Sequence, residues 1–206
     1  MRLKSQVVGF TPRYNIAPTQ DAPVVVREEE IVLKLMRWGL IPPWAQDESI
    51  GNRMINARAE TLAQKPSFRQ PFERRRCLVL ADGFYEWKKT GGAKIPYRFV
   101  VKGDEPFAFA GLWERWRKPD DTELHSFVII TTEPNELARE IHDRMPVILA
   151  AEHYDRWLDP DFHDTERLQE SLRPFPASAM ACYPVSPKVN NPRFDEPQCI
   201  EPVPPP

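Results

Sequence analysis

Residues 77–87 read Cys77-Leu78-Val79-Leu80-Ala81-Asp82-Gly83-Phe84-Tyr85-Glu86-Trp87. An aliphatic run of this length without polar alternation predicts a short buried strand, running on through the Asp-Gly pair to the aromatics. Outward from it, Lys88 to Lys94, with Gly91-Gly92, predicts a hairpin loop into a strand at 95–101. Lys102-Gly103-Asp104-Glu105 turns the chain again into 107–113, and 125–131 is the last β-like run. Upstream, Val24-Val25-Val26 and Ile31–Trp38 flank a charged turn at Arg27 and three glutamates. Short helices are predicted over 135–141, entered by Thr132 and Pro134, over 151–158 and 164–172, and after the stretch 56–62. Strands dominate, with helices between and after them. The expected class is α+β, a single domain over 1–206 with a curved antiparallel sheet or partial barrel and short peripheral helices. Residues 202–206 read as an extended, fraying tail.

Composition bounds the rest. A chain of 206 residues, 41% hydrophobic, can bury a core, and no stretch approaches the ~18 unbroken apolar residues of a membrane span. The opening Met1-Arg2-Leu3-Lys4-Ser5-Gln6 has no apolar core of a secretion signal. Three scattered cysteines, Cys77, Cys182 and Cys199, do not make a disulfide framework, so a reducing, cytoplasmic setting is expected. With 23 prolines and 8 glycines, the connections should be rigid, and collagen and low-complexity disorder are excluded. Net charge −2 conceals +7 over residues 1–100 and −9 over 101–206. The basic half fits a polyanion-binding face, or else the halves interleave and their charges pair.

No phosphate loop, dinucleotide fingerprint, HExxH or CxxC occurs, and neither a metal nor a cofactor is expected. His153 and His163 lie in an acidic, solvated stretch, and Cys77 reads as a core thiol. Glu86 is more informative. A carboxylate between Tyr85 and Trp87 loses hydration, and its pKa rises toward the range useful for proton transfer, unless its head simply sits in solvent. His142 lies where a helix stops before Pro146, so it either serves chemistry or caps the helix. Asn56 is a candidate polar anchor or an N-cap. Arg58 and Arg144 each follow such a residue by two positions and suit phosphate contacts. Trp38, Trp44 and Trp87 are core residues or stacking platforms for unpaired bases.

Seven blocks occur in order: Asn15-Ile16-Ala17-Pro18-Thr19-Gln20, Arg37-Trp38-Gly39-Leu40-Ile41-Pro42, Asn56-Ala57-Arg58-Ala59-Glu60-Thr61, Arg75-Arg76-Cys77-Leu78, Asp82-Gly83-Phe84-Tyr85-Glu86-Trp87, His142-Asp143-Arg144-Met145-Pro146, and Pro184-Val185-Ser186-Pro187-Lys188-Val189-Asn190-Asn191. Together they resemble the SOS-response-associated peptidase (SRAP) family, the abasic-site processing proteins, from about Tyr14 to Val203.

The resemblance implies binding of single-stranded DNA that carries an abasic site. It implies capture by an N-terminal cysteine, whose α-amine forms a Schiff base with the sugar aldehyde before the thiol closes a thiazolidine. By motif, Glu86 would shuttle protons, His142 would assist ring opening or strand elimination, and Asn56 would orient the amine. Arg58 and Arg144 would hold phosphates, with Pro18, Trp38 and Trp87 against the bases. A monomer is expected, cytoplasmic and nucleoid-associated when bound to DNA.

One departure matters. The family opens Met-Cys-Gly-Arg, whereas this sequence opens Met1-Arg2-Leu3-Lys4, residues 1–13 are atypical, and its first cysteine is Cys77. An internal cysteine has no α-amine beside its thiol, so the chain as written is expected to form no thiazolidine. Either the true start lies upstream or the member is degenerate, and the retained Asn56, Glu86 and His142 favour the former. Two other readings stand: a binding module for single-stranded DNA without chemistry, and a peptidase, for which no separate Ser/His/Asp or Cys/His set is evident.

Overall fold

The computed structural model describes residues 4–5, 11–103 and 105–204, so most of the atypical start lies outside the described residues. Twelve strands are present among them: β1 (Lys4–Ser5), β2 (Asp21–Arg27), β3 (Ile31–Trp38), β4 (Asn56–Arg58), β5 (Arg76–Ala81), β6 (Phe84–Thr90), β7 (Ala93–Val101), β8 (Phe107–Arg117), β9 (Glu123–Thr132), β10 (Met145–Pro146), β11 (Ile148–Leu149) and β12 (Met180–Pro184). Four short α-helices accompany them: α1 (Pro66–Arg74), α2 (Glu136–Arg139), α3 (Tyr154–Leu158) and α4 (Thr165–Glu170).

Strands β3, β2, β5, β8 and β9 follow one another antiparallel, and β9 returns to β3 to make a partial barrel. The closure is parallel and short, pairing Arg37 with Ser126 and Trp38 with Phe127. β4 is added parallel to β9, while β10 and β11 pair antiparallel with β9 and β8. A second sheet, ordered β12-β7-β6, is antiparallel throughout. The α+β reading therefore holds, and the parallel seam is an addition to it.

Both faces of β2, β5, β8 and β9 are largely buried, which is why they read as apolar runs, whereas β3 buries only Val32 and Met36 and leaves Leu35 exposed. Val25, Leu78, Ala110 and Val128 pack under Phe72, Trp157 and Leu168 of the helices. Their neighbours Val24, Val26, Cys77, Val79 and Phe127 pack with Phe84, Phe99 and Met180 of the second sheet. Arg76, 3% exposed, ties the helices to the barrel through the backbone carbonyls of Phe72, Glu73, Trp157, Asp159 and Phe162.

Two sequence expectations are corrected here. Residues 77–87 are not one strand: β5 ends at Ala81, and the chain bends at Asp82-Gly83 to enter the second sheet as β6. Gly83 backs onto Arg98, whose Nε would lie 2.7 Å from any Cβ there. The β6–β7 turn is also tighter than expected. Lys88, Lys89 and Lys94 are strand residues, and Gly91-Gly92 alone makes the loop, both at positive φ (53° and 96°), as a two-residue hairpin requires.

The helices near 135–141, 151–158 and 164–172 are present, Asn135 and Asp164 capping α2 and α4. α1 follows the 56–62 stretch, as expected. The tail is held further than expected, because Val185 pairs with Pro202 and the Val203 N–H donates to the Pro184 carbonyl. The two charged halves interleave, with ion pairs Arg75–Glu114 and Arg144–Glu60 crossing between them.

Candidate functional site

The site is assembled where the second sheet meets the open end of β9. In β6, Tyr85 and Trp87 project to one face. The Tyr85 hydroxyl donates to the Tyr14 and Cys199 carbonyls, and Trp87 Nε1 donates to Asn190 Oδ1. The period of two sends Glu86 to the other face, beyond Phe84, whose ring stacks on Phe99 at 4.9 Å and packs in the core. Tyr97, directly across from Glu86, packs on that same core. The carboxyl is therefore 22% exposed. Burial pushes it up to about 7, against the opposing pull of the His142 imidazole and the Trp87 backbone N–H, with Asp143 adding a smaller upward push. The reading of Glu86 as a solvated strand-end carboxylate does not survive this geometry.

His142 lies in the connection between α2 and β10. Its backbone N–H donates to the Ala138 carbonyl at the end of α2, while its ring faces Glu86. His142 Nε2 is 4.0 Å from Glu86 Oε2. At Nδ1 the ring meets the Arg144 N–H at 3.1 Å and Asp143 Oδ1 at 3.2 Å. In one tautomer of the neutral ring Nδ1 accepts from the Arg144 N–H and the proton sits on Nε2, facing Glu86; in the other Nδ1 donates to Asp143 or to the Arg144 carbonyl at 3.3 Å. With both nitrogens protonated, Asp143 receives the Nδ1–H.

Asn56 does not cap a helix; it opens β4, in register with Ile129 of β9. The pattern of β4 is exposed-buried-exposed, so Ala57 enters the core while Asn56 and Arg58 share the outer face. Asn56 is without a hydrogen-bond partner among the described residues, and no contact joins it to Glu86 or His142 there. Arg58 pairs with Thr131, and Thr131 pairs on its other side with Pro146 of β10. That register brings Arg58 and Arg144 to the two flanks of one β9 residue. Arg144 Nη2 donates to the Thr131 carbonyl at 2.7 Å, and its guanidinium holds Glu60 by two bonds of 2.9 and 3.0 Å.

Trp38 ends β3 beside β4. It is half-buried, stacks on Phe127 at 6.4 Å, and donates from Nε1 to the Ile55 carbonyl. Pro18 precedes a turn at Thr19, whose φ is +76° and whose N–H donates to the Trp38 carbonyl. Pro18, Trp38 and Asn56 thus line one rim. Trp44, 62% exposed, stands apart beside a 350 Å³ cleft with Pro42, Pro66 and Glu114. Cys77 is fully buried, and burial pushes its thiol well up, which agrees with a core thiol.

The structure thus brings Glu86 and His142 into one site and Arg58 and Arg144 to its side. Sequence reading gave no separate role to Asp143 or Glu60. The first adjoins His142, and the second lies on the exposed alternation that runs Asn56, Arg58, Glu60.

Comparison with known families settles the kinship. The family model described as SOS response associated peptidase (SRAP) matches residues 2–192. The chain belongs to the SRAP family. It is 50% identical over 194 residues to the abasic site processing protein YoqW of Bacillus subtilis, covering 93% of this chain and 87% of that one. It is 33% identical over 227 residues to the abasic site processing protein HMCES of Gallus gallus, covering 94% of this chain and 67% of that protein. Among solved structures, a Bacteroides thetaiotaomicron protein superposes with a TM-score of 0.81 at 33% identity, over 90% of this chain and 82% of that one. The SRAP chain has no helix, among its described residues, long and apolar enough to cross a membrane.

Proposed function

We propose that this SRAP chain processes abasic sites in single-stranded DNA, using Glu86 and His142 for proton transfer and Arg58 and Arg144 for the flanking phosphates. The observation that carries the reading is a buried carboxyl, pushed up to about 7, whose oxygen lies 4.0 Å from an imidazole nitrogen beside two arginines. Two groups at that separation do not hydrogen-bond each other directly, yet both reach a substrate oxygen lying between them.

An abasic deoxyribose opens to an aldehyde and a free hydroxyl. Attack by a primary amine on the aldehyde carbon forms a carbinolamine, and its hydroxyl must leave as water for the imine to form. Glu86, held near half-protonated at neutral pH, donates that proton, and as carboxylate it takes one back when a thiol adds to the imine. His142 Nε2–H gives its proton to the sugar ring oxygen as that oxygen leaves C1′ to become the free hydroxyl, and Glu86 as carboxylate takes the proton of the C1′ hydroxyl as it becomes the aldehyde. Asn56, whose amide has no hydrogen-bond partner among the described residues, orients the amine. Pro18, Trp38 and Trp87 meet the adjoining bases. The ring-closing nucleophile must carry an α-amine and a thiol on one residue. Cys77, Cys182 and Cys199 are internal, so covalent capture belongs to a form that begins with cysteine.

The test uses this sequence preceded by the Met-Cys-Gly-Arg start, mixed with single-stranded DNA bearing one abasic site, and followed on a denaturing gel after heating. A heat-stable adduct is expected, and Glu86→Gln should slow it about 100-fold or more while oligonucleotide affinity changes little. No adduct would sink the covalent mechanism. Equal rates for the two proteins would remove Glu86 from the chemistry and leave capture to the N-terminal residue alone.

A further inference from the structure

The carboxylate of Glu60 occupies the end-on fork of Arg144. Nη1 donates to Oε1 at 2.9 Å and Nη2 to Oε2 at 3.0 Å. The other Nη2 hydrogen goes to the Thr131 carbonyl, and Nε is buried without a partner among the described residues. A guanidinium offers two-point recognition to a phosphate through such a fork, and here the fork is filled by a group that copies a phosphate's two oxygens and negative charge. The Arg144 bonds hold the Glu60 carboxyl below its ordinary range, so it is ionised wherever DNA binding is relevant, and Arg58 contributes a further pull. Glu60 is half-exposed while Arg144 is mostly covered, so the carboxylate is the partner free to swing away.

We infer that Glu60 is an internal competitor for the DNA backbone: a strand reaches Arg144 only by displacing this carboxylate, which sets a low affinity for undamaged single strands. The inference rests on the reading of Arg144 as a phosphate contact. Its consequence is specificity. An intact strand meets the cost of displacement and gains only reversible contacts, so it leaves quickly. A strand held covalently at an abasic site does not leave, whatever that cost. Glu60 thus lowers occupancy on intact DNA without weakening the captured state.

The test measures binding of a fluorescein-labelled oligothymidylate by anisotropy, for the wild-type chain and Glu60→Gln, across a salt series. Glu60→Gln keeps the size of the side chain and removes its charge. Affinity should rise about three- to tenfold, and the log–log salt slope should steepen by about 0.7, one more phosphate neutralised by a cation that was internally paired. In an Arg144→Gln background the same substitution should give no comparable gain. Unchanged or weaker binding by Glu60→Gln would overturn the competitor role, as would an equal gain without Arg144, which would assign the effect to general charge near Arg58. Wild-type binding with no gain from Glu60→Gln therefore sinks this inference alone. Absence of binding by every variant sinks the DNA reading and this inference together.

Discussion

Replacing Glu86 by Gln should stabilise the fold, and by an amount that depends on pH in a defined way. The carboxyl moves from 4.5 in the open chain to about 7 in the folded one, chiefly by burial. At about 1.4 kcal/mol for each pH unit of displacement, the ionised carboxylate costs the native state about 3 kcal/mol. Between those two values the folded protein holds a proton that the unfolded chain releases, so wild-type stability falls as pH rises through the window. Below about 4.5 both states are protonated and the penalty vanishes; above about 7 both are ionised and it is fully present. Gln has no such titration. Urea unfolding of both proteins from about pH 5 to about pH 8 should show the variant gaining on the wild type by about 2–3 kcal/mol across the range. Repeating the comparison in a His142→Gln background removes the imidazole that faces the carboxyl. The gap should then widen, because the pull that lowers Glu86 is gone. A difference that stays flat with pH would refute the claim that burial governs this carboxyl, and with it the argument for a proton shuttle.

Two further outcomes follow from the scaffold. Arg76→Met should destabilise the protein by at least about 3 kcal/mol in urea titrations, because five backbone carbonyls that converge on the guanidinium lose their donor together. Gly39→Ala should cost about 1–3 kcal/mol from backbone strain, since Gly39 has φ +122°, and its added Cβ would stand 2.5 Å from the Gly51 carbonyl oxygen. A thermal melt within a degree or so of wild type would contradict that geometry.

How far the sequence announces this molecule varies with the range of the interaction. β2, β8 and β9 show in their apolar runs because both faces are largely buried, a local cause with a local trace. The break at Asp82-Gly83 was hidden, because its reason is the Arg98 side chain from another strand. β12, Met-Ala-Cys-Tyr-Pro, has no β-branched residue and is a strand only because β7 offers it an edge. The parallel seam between β3 and β9 has no local signal at all. At the site, the sequence pointed to a desolvated Glu86 but not to the cause, because Tyr85 and Trp87 lie on the opposite face and the carboxyl is covered from the side of Phe84 and Tyr97. Glu60 gave no warning, since its partner is an arginine 84 positions away.

The seam has a consequence for synthesis on the ribosome. Arg37 and Trp38 emerge early, but their partners Ser126 and Phe127 come almost ninety residues later, and β12 later still. A nascent chain therefore exposes β2 and β3 with no ring to join until most of the polypeptide has left the exit tunnel. Glu86 is translated long before His142, its neighbour in the fold. Until the His142 segment arrives it lacks the imidazole that stands 4.0 Å away in the fold, so a prematurely terminated product carries the carboxyl in the primary structure without that neighbour.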